Sequence, residues 1–81
     1  MIKKRLFLSM NAELLGEPFL YKLVRDFDLI PNVRRADVSK TEAWFVLELQ
    51  GGSEDHIQEG VNYLTGFGAA VKPLQGDFVE S

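Results

Sequence analysis

The stretch AWFVLELQGG, residues 43–52, carries the strongest strand signal in the chain. It is rich in aromatic and β-branched residues, and it alternates cleanly. Phe45, Leu47 and Leu49 fall on one face, and Trp44, Val46, Glu48 and Gln50 on the other. One wholly apolar face and one mixed face describe a strand that lies on a core along one side only. Gly51-Gly52 ends it.

Working backward, SKTE (39–42) is a polar turn, and LIPNVRRADV (29–38) precedes it. Pro31 stops any helix, so the segment through Val38 is extended. Val33, Ala36 and Val38 all want the core, yet their spacing breaks the two-residue alternation. A bulge between Val33 and Ala36 reconciles them and sets Arg34-Arg35 on the kink. A bulge and arginines on an edge also hinder uncontrolled strand pairing. Asn32 is the residue of this segment that packing leaves unexplained.

Working forward, Ser53 followed by Glu54 and Asp55 is a helix start, a hydroxyl cap with acids in the first turn. Ile57, Val61 and Leu64 form the buried stripe, Gly60 permits close approach to the sheet, and Gly66 and Gly68 stop the helix. AAVKPL (69–74) is a short last strand whose Pro73 suits an edge. QGDFVES is a loose tail.

At the other end, KKRLFLSM alternates as a half-buried strand, with Leu6, Leu8 and Met10 on the core side. NAELLGE is a connection. Pro18 occupies the first turn of a helix beside the acidic Glu17. Leu20, Leu23, Val24 and Phe27 supply its stripe, and it ends near Asp28. The order is β-α-β-β-α-β, the split βαβ or ferredoxin-like plan of an α+β domain. Both helices cover one face of a four-stranded antiparallel sheet. The first and third strands are central, and Pro31 and Pro73 both fall in the edge strands. The 81 residues make one domain, with its core at about 3–75 and the tail at 76–81.

Composition narrows the function. There is no cysteine, which excludes disulfides, thiolate metal sites, thiol nucleophiles and an iron–sulfur cluster held by this chain. The net charge of −3 argues against nucleic acid as the main partner. Lys3-Lys4-Arg5 and Arg34-Arg35 read as solubility and edge protection. The N-terminal apolar run is too short and interrupted for a signal peptide or a membrane span, so a cytoplasmic location without membrane insertion is expected. His56 reads as an exposed helix residue. Glu13, Glu17, Asp26 and Asp28 read as a solvated acidic surface. Nothing assembles a nucleophile, base and oxyanion site, and no metal or cofactor is expected. The second sheet face is more informative. Phe7, Trp44 and Val46 lie on it, and no element remains to cover them, so it is a candidate contact surface.

EPFLYKLVRDFDLIPNV (17–33) and AWFVLELQGGSEDHIQEGVNYLTGFGAAVKPL (43–74) together resemble the NIL domain family. The resemblance runs from about Lys4 to Leu74. It rests on Glu17-Pro18 opening the helix, Asn32-Val33 in the second strand, the WFVLEL strand with Gly51 after it, and Tyr63-Leu64 closing the second helix. The tripeptide that names the family stands here as Asn32-Val33-Arg34, with Arg34 in place of an apolar residue. Ala43-Trp44 stands where transporter members carry Phe-Gly. The resemblance implies the same ferredoxin-like fold, pairing of two copies, and a link to sulfur amino acids. Family members occur on methionine-uptake transporter ATPases, where they pair and bind methionine, on ferredoxin-type modules, and as short free chains.

Two functions follow as expectations. In the first the chain is a regulatory module, a homodimer that binds a small amino-acid-like ligand at its seam. Asn32, Val33, Arg34 and Arg35 would lie at that seam, with Phe7, Trp44 and Val46 as apolar wall. In the second it is a protein-interaction subunit docking on a redox or sulfur-metabolism partner.

Overall fold

The computed structural model describes residues 1–74. The expected loose tail, 76–81, lies outside the described residues. The elements run β1 (Ile2–Asn11), a short 3-10 helix (Ala12–Gly16), α1 (Phe19–Arg25), β2 (Ile30–Val38), β3 (Glu42–Gly51), α2 (Glu54–Gly66) and β4 (Ala70–Pro73). The sheet order is β2-β3-β1-β4, and every pairing is antiparallel. This is the α+β ferredoxin-like arrangement, with β1 and β3 central and Pro31 and Pro73 on edge strands. NAELLGE is thus not a plain connection but largely a 3-10 turn.

The alternation of β1 and β3 places the core. Leu6 pairs with Leu47, Leu8 with Phe45 and Met10 with Ala43, while Leu49 stands opposite Lys4 toward the far end of β3. Leu6, Leu8, Met10, Ala43, Phe45, Leu47 and Leu49 are all buried beneath the helices. The helix layer adds Phe19, Leu23, Leu29, Ile57 and Leu64.

The first helix differs from its expected stripe. Phe19 and Leu23 are buried and Phe27 is half-buried, whereas Leu20 and Val24 are exposed. The cause is the Phe19 ring. It packs edge-on to Phe45 at 5.4 Å and beside Phe67 at 6.1 Å, so the helix turns its largest apolar side chain inward. The helix also ends earlier than expected, at Arg25, and Pro18 caps it rather than joining its first turn. Asp28 then takes a left-handed conformation, φ 56°, that swings the chain into β2.

Leu29 locks that connection. Its N–H donates to the Leu23 carbonyl at 3.0 Å, and its side chain is 1% exposed. Its two methyls press against two glycines. A Cβ on Gly51 would lie 2.7 Å from Leu29 Cδ2, and one on Gly60 would overlap Leu29 Cδ1. Gly60 therefore provides the close approach its type implies, toward Leu29 as well as the sheet.

The bulge in β2 lies where the parity conflict puts it. Val33 pairs with Leu47 and Arg35 with Val46, so Arg34 is skipped. Beyond the bulge Ala36 and Val38 share the helix side with Val33, opposite Phe45 and Ala43. They do not enter the core as expected. Val33 is 40% and Val38 55% exposed, because the helix layer does not extend over the outer border of β2.

Candidate functional site

The open face of the sheet is built by parity in rows across the strands. One row is Arg35, Val46, Phe7 and Lys72; the next is Asp37, Trp44, Ser9 and Ala70. A third holds Asn32, Glu48 and Arg5. Phe7 and Trp44 are diagonal neighbours and stack, with centroids 5.8 Å apart and planes at 24°. Both rings and Val46 are half-buried by their neighbours. Arg5 and Glu48, opposite each other, pair at 3.4 Å and roof one end of the apolar strip.

The structure brings five of the seven expected site residues onto this face: Phe7, Trp44, Val46, Arg35 and Asn32. Val33 lies on the helix side, and Arg34 sits at the bulge. Asn32 and Arg35 are separated along β2 by that bulge, with Asn32 beside Glu48 and Arg35 beside Val46.

A second surface was missed by the expected α1 stripe. Apart from Met1, the exposed large hydrophobics among the described residues are Leu20, Tyr21, Val24, Ile30, Val33 and Val38, all on α1 or β2. Lys22 pairs with Glu17 at 3.0 Å, and Glu17 accepts a short hydrogen bond from Tyr63 of α2. The Lys22 flank of α1 therefore faces α2. Leu20 and Val24, on the opposite flank of the helix, face the β2 border where Val33 and Val38 are exposed. Helix flank, Val33 and Val38 together form an apolar margin on the helix side, while Ile30, opposite Gln50, lies at the same edge on the open face. The signal was available in sequence, since Phe19 and Leu23 also stand four residues apart, but two overlapping stripes fit the same segment.

Three titratable groups outside this margin, Glu17, Tyr63 and His56, are tied into the scaffold. Glu17, expected as solvated surface, is held below the usual carboxylate range by the Tyr63 hydroxyl and by Lys22. Burial and the Glu17 hydrogen bond push Tyr63 well above the ordinary phenol value. His56 is also no free surface residue. Its Nε2 lies 2.6 Å from the Phe27 carbonyl, which can only accept, so Nε2 carries the proton. Nδ1 then accepts from the Gly52 N–H at 3.0 Å. One side chain of α2 thus clasps both the α1–β2 turn and the end of β3.

A shallow cleft of about 240 Å³ lies at one end of the sheet, lined by Ser9, Met10, Asn11, Glu42, Gly68 and Ala70. It adjoins the Trp44 row but contains none of the expected site residues. No helix among the described residues is long and apolar enough to cross a membrane.

Comparison with known proteins joins these features to a family. The NIL domain model matches residues 4–73. The chain is 30% identical over 67 residues to the L-aspartate semialdehyde sulfurtransferase iron-sulfur subunit of Methanocaldococcus jannaschii, covering 83% of this chain and 50% of that protein. It thus spans about half the length of that curated relative. The structure superposes on the C-terminal domain of an ABC transporter / ATP-binding protein from Enterococcus faecalis with a TM-score of 0.74. At 13% identity over 91% of this chain and 86% of that one, this is a likeness of fold. With the model spanning β1 to β4, the chain belongs to the NIL domain family.

Proposed function

We propose that this chain is a non-enzymatic, cytoplasmic regulatory module of sulfur metabolism that works by association. Two copies pair along the β2 margin, and a small sulfur-containing amino acid binds at the seam. The observation that carries this reading is the grouping of Leu20, Tyr21, Val24, Ile30, Val33 and Val38, all exposed, on α1 and β2. Exposed apolar side chains gathered at one sheet edge favour a protein partner there. The Asn32 amide would hold the polar groups of the ligand, with Val46 and Trp44 as apolar wall.

The test is sedimentation equilibrium of the full chain, with calorimetry against methionine and homocysteine. A dimer that binds one of them and gains melting temperature supports the reading. A monomer at every concentration, or a dimer that gives no heat and no melting shift at millimolar ligand, refutes it.

A second reading is favoured by the Methanocaldococcus relative, whose name is that of an iron-sulfur subunit and of which this chain spans half. Here the module docks on a separate ferredoxin-type or sulfur-amino-acid biosynthetic protein. These 81 residues contain no cysteine, so the cluster would have to reside in that partner. Co-purification with such a partner, lost on substituting Val33 and Val38 by Ser, supports it. Failure of the two proteins to associate at micromolar concentration removes it.

A further inference from the structure

The pairing just proposed leaves open which contacts set it. Resting on that reading, we infer the register of the pair: the second copy docks on β2 antiparallel about a two-fold axis through Ala36. In that register Arg35 of each copy faces Asp37 of the other.

Among the described residues the sheet ends on β2 and β4, and these two edges are not equivalent. β4 has four residues and ends on Pro73, which offers no N–H, so it is a poor template. β2 has nine residues, and beyond its bulge Arg35, Ala36, Asp37 and Val38 run as regular strand against β3. Arg35 and Asp37 lie on the open face, and Ala36 and Val38 on the helix side.

A two-fold antiparallel pair sets residue i against its mirror about the axis, and facing residues must share a sheet face. An axis between two residues would set Ala36 against Arg35 or Asp37 and mix the faces, so the axis passes through a residue. An axis at Arg35 sets arginine against arginine, and one at Asp37 sets aspartate against aspartate. An axis at Val38 uses only the end of the strand. Upstream, Pro31 and the bulge interrupt the outward ladder. Ala36 is the position that satisfies every condition. It sets two Arg35–Asp37 pairs on the open face and the small Ala36 side chains against each other on the helix side.

Two further observations agree. Among the described residues neither the Arg35 nor the Asp37 side chain has a hydrogen-bond or ion-pair partner, although both stand in a regular strand. The helix side of this register also carries Val33 and Val38 beside the exposed α1 flank, so pairing covers apolar surface that the single chain leaves in water. The bulge and the arginines then select a register as well as resisting unwanted ones.

The experiment is charge exchange, read by sedimentation equilibrium at low salt. Arg35→Glu and Asp37→Lys each place two like-charge pairs across the seam, and each should weaken the dimer by about ten-fold or more. The double variant Arg35→Glu/Asp37→Lys should regain wild-type affinity. An equimolar mixture of the two single variants should form heterodimers in preference to either homodimer. Thermal melting of each variant at dilutions where it is monomeric checks that the exposed substitutions leave the fold intact. If the wild-type chain dimerises but the single variants match it, or the double variant fails to recover, this register is wrong while the association reading stands. If the wild-type chain is monomeric throughout, both fall.

Discussion

Gly60→Ala tests whether Leu29 holds the α1–β2 connection between two glycines. In an exposed helix the substitution would stabilise by about 1 kcal/mol through backbone propensity. Here the new methyl overlaps Leu29 Cδ1 and comes within 3.2 Å of Leu23 Cδ2. Leu29 is 1% and Leu23 0% exposed, so neither can swing into solvent. Overpacking of this kind costs about 1–3 kcal/mol. The net expectation is a loss of about 1 kcal/mol, or about 4–8 °C in melting temperature for a domain of this size. Leu29→Ala alone should cost about 2–5 kcal/mol as a cavity in a dry core. In that background the obstructing methyl is gone, so Gly60→Ala should stabilise by about 1 kcal/mol. The double-mutant cycle thus carries a coupling of about 2 kcal/mol. Urea unfolding followed by Trp44 fluorescence and far-UV dichroism measures all four corners. Additive effects, or a stabilising Gly60→Ala in the wild-type background, would refute the reasoning.

Three further outcomes are expected. His56→Ala removes the partners of the Gly52 N–H and the Phe27 carbonyl and should cost about 1–3 kcal/mol, with faster amide exchange at Gly52 read by NMR. Glu17 is held below its ordinary range, so its contribution is complete above the unfolded carboxyl value and lost as pH falls through the folded one. Tyr63→Phe should flatten that acid limb in denaturant titrations; an unchanged limb would show that the hydroxyl does not govern it. Gly68 has φ 113°, so Gly68→Ala should cost about 1–2 kcal/mol in urea titrations, from strain at the turn into β4 and crowding against Leu14.

The shared face of Phe7, Trp44 and Val46 was legible because strand parity is a local property of the backbone. The bulge was legible for the same reason, since Val33 and Ala36 cannot both reach one side of an unbroken strand. The bulge in turn decides that Arg35 joins the aromatic row while Val33 faces the helices. The exposure of Val33 and Val38 was not legible, because it depends on how far a neighbouring layer extends.

By itself, the sequence determined the order of the elements, the core face of the sheet, the edge strands and the kink in β2. Period-two alternation, proline and glycine act over a few residues, so no knowledge of distant partners was required. The tertiary structure alone decided which side of α1 turns inward, since Phe19–Leu23 and Leu20–Val24 are equally good helical pairs until Phe45 and Phe67 are present to receive the Phe19 ring. It also decided the roles of His56, which reaches Phe27 across 29 positions, and of Glu17, which meets Tyr63 across 46. Such contacts join residues whose own neighbourhoods carry no mark of the partner, and only the packing of α2 over the sheet brings them within hydrogen-bond reach.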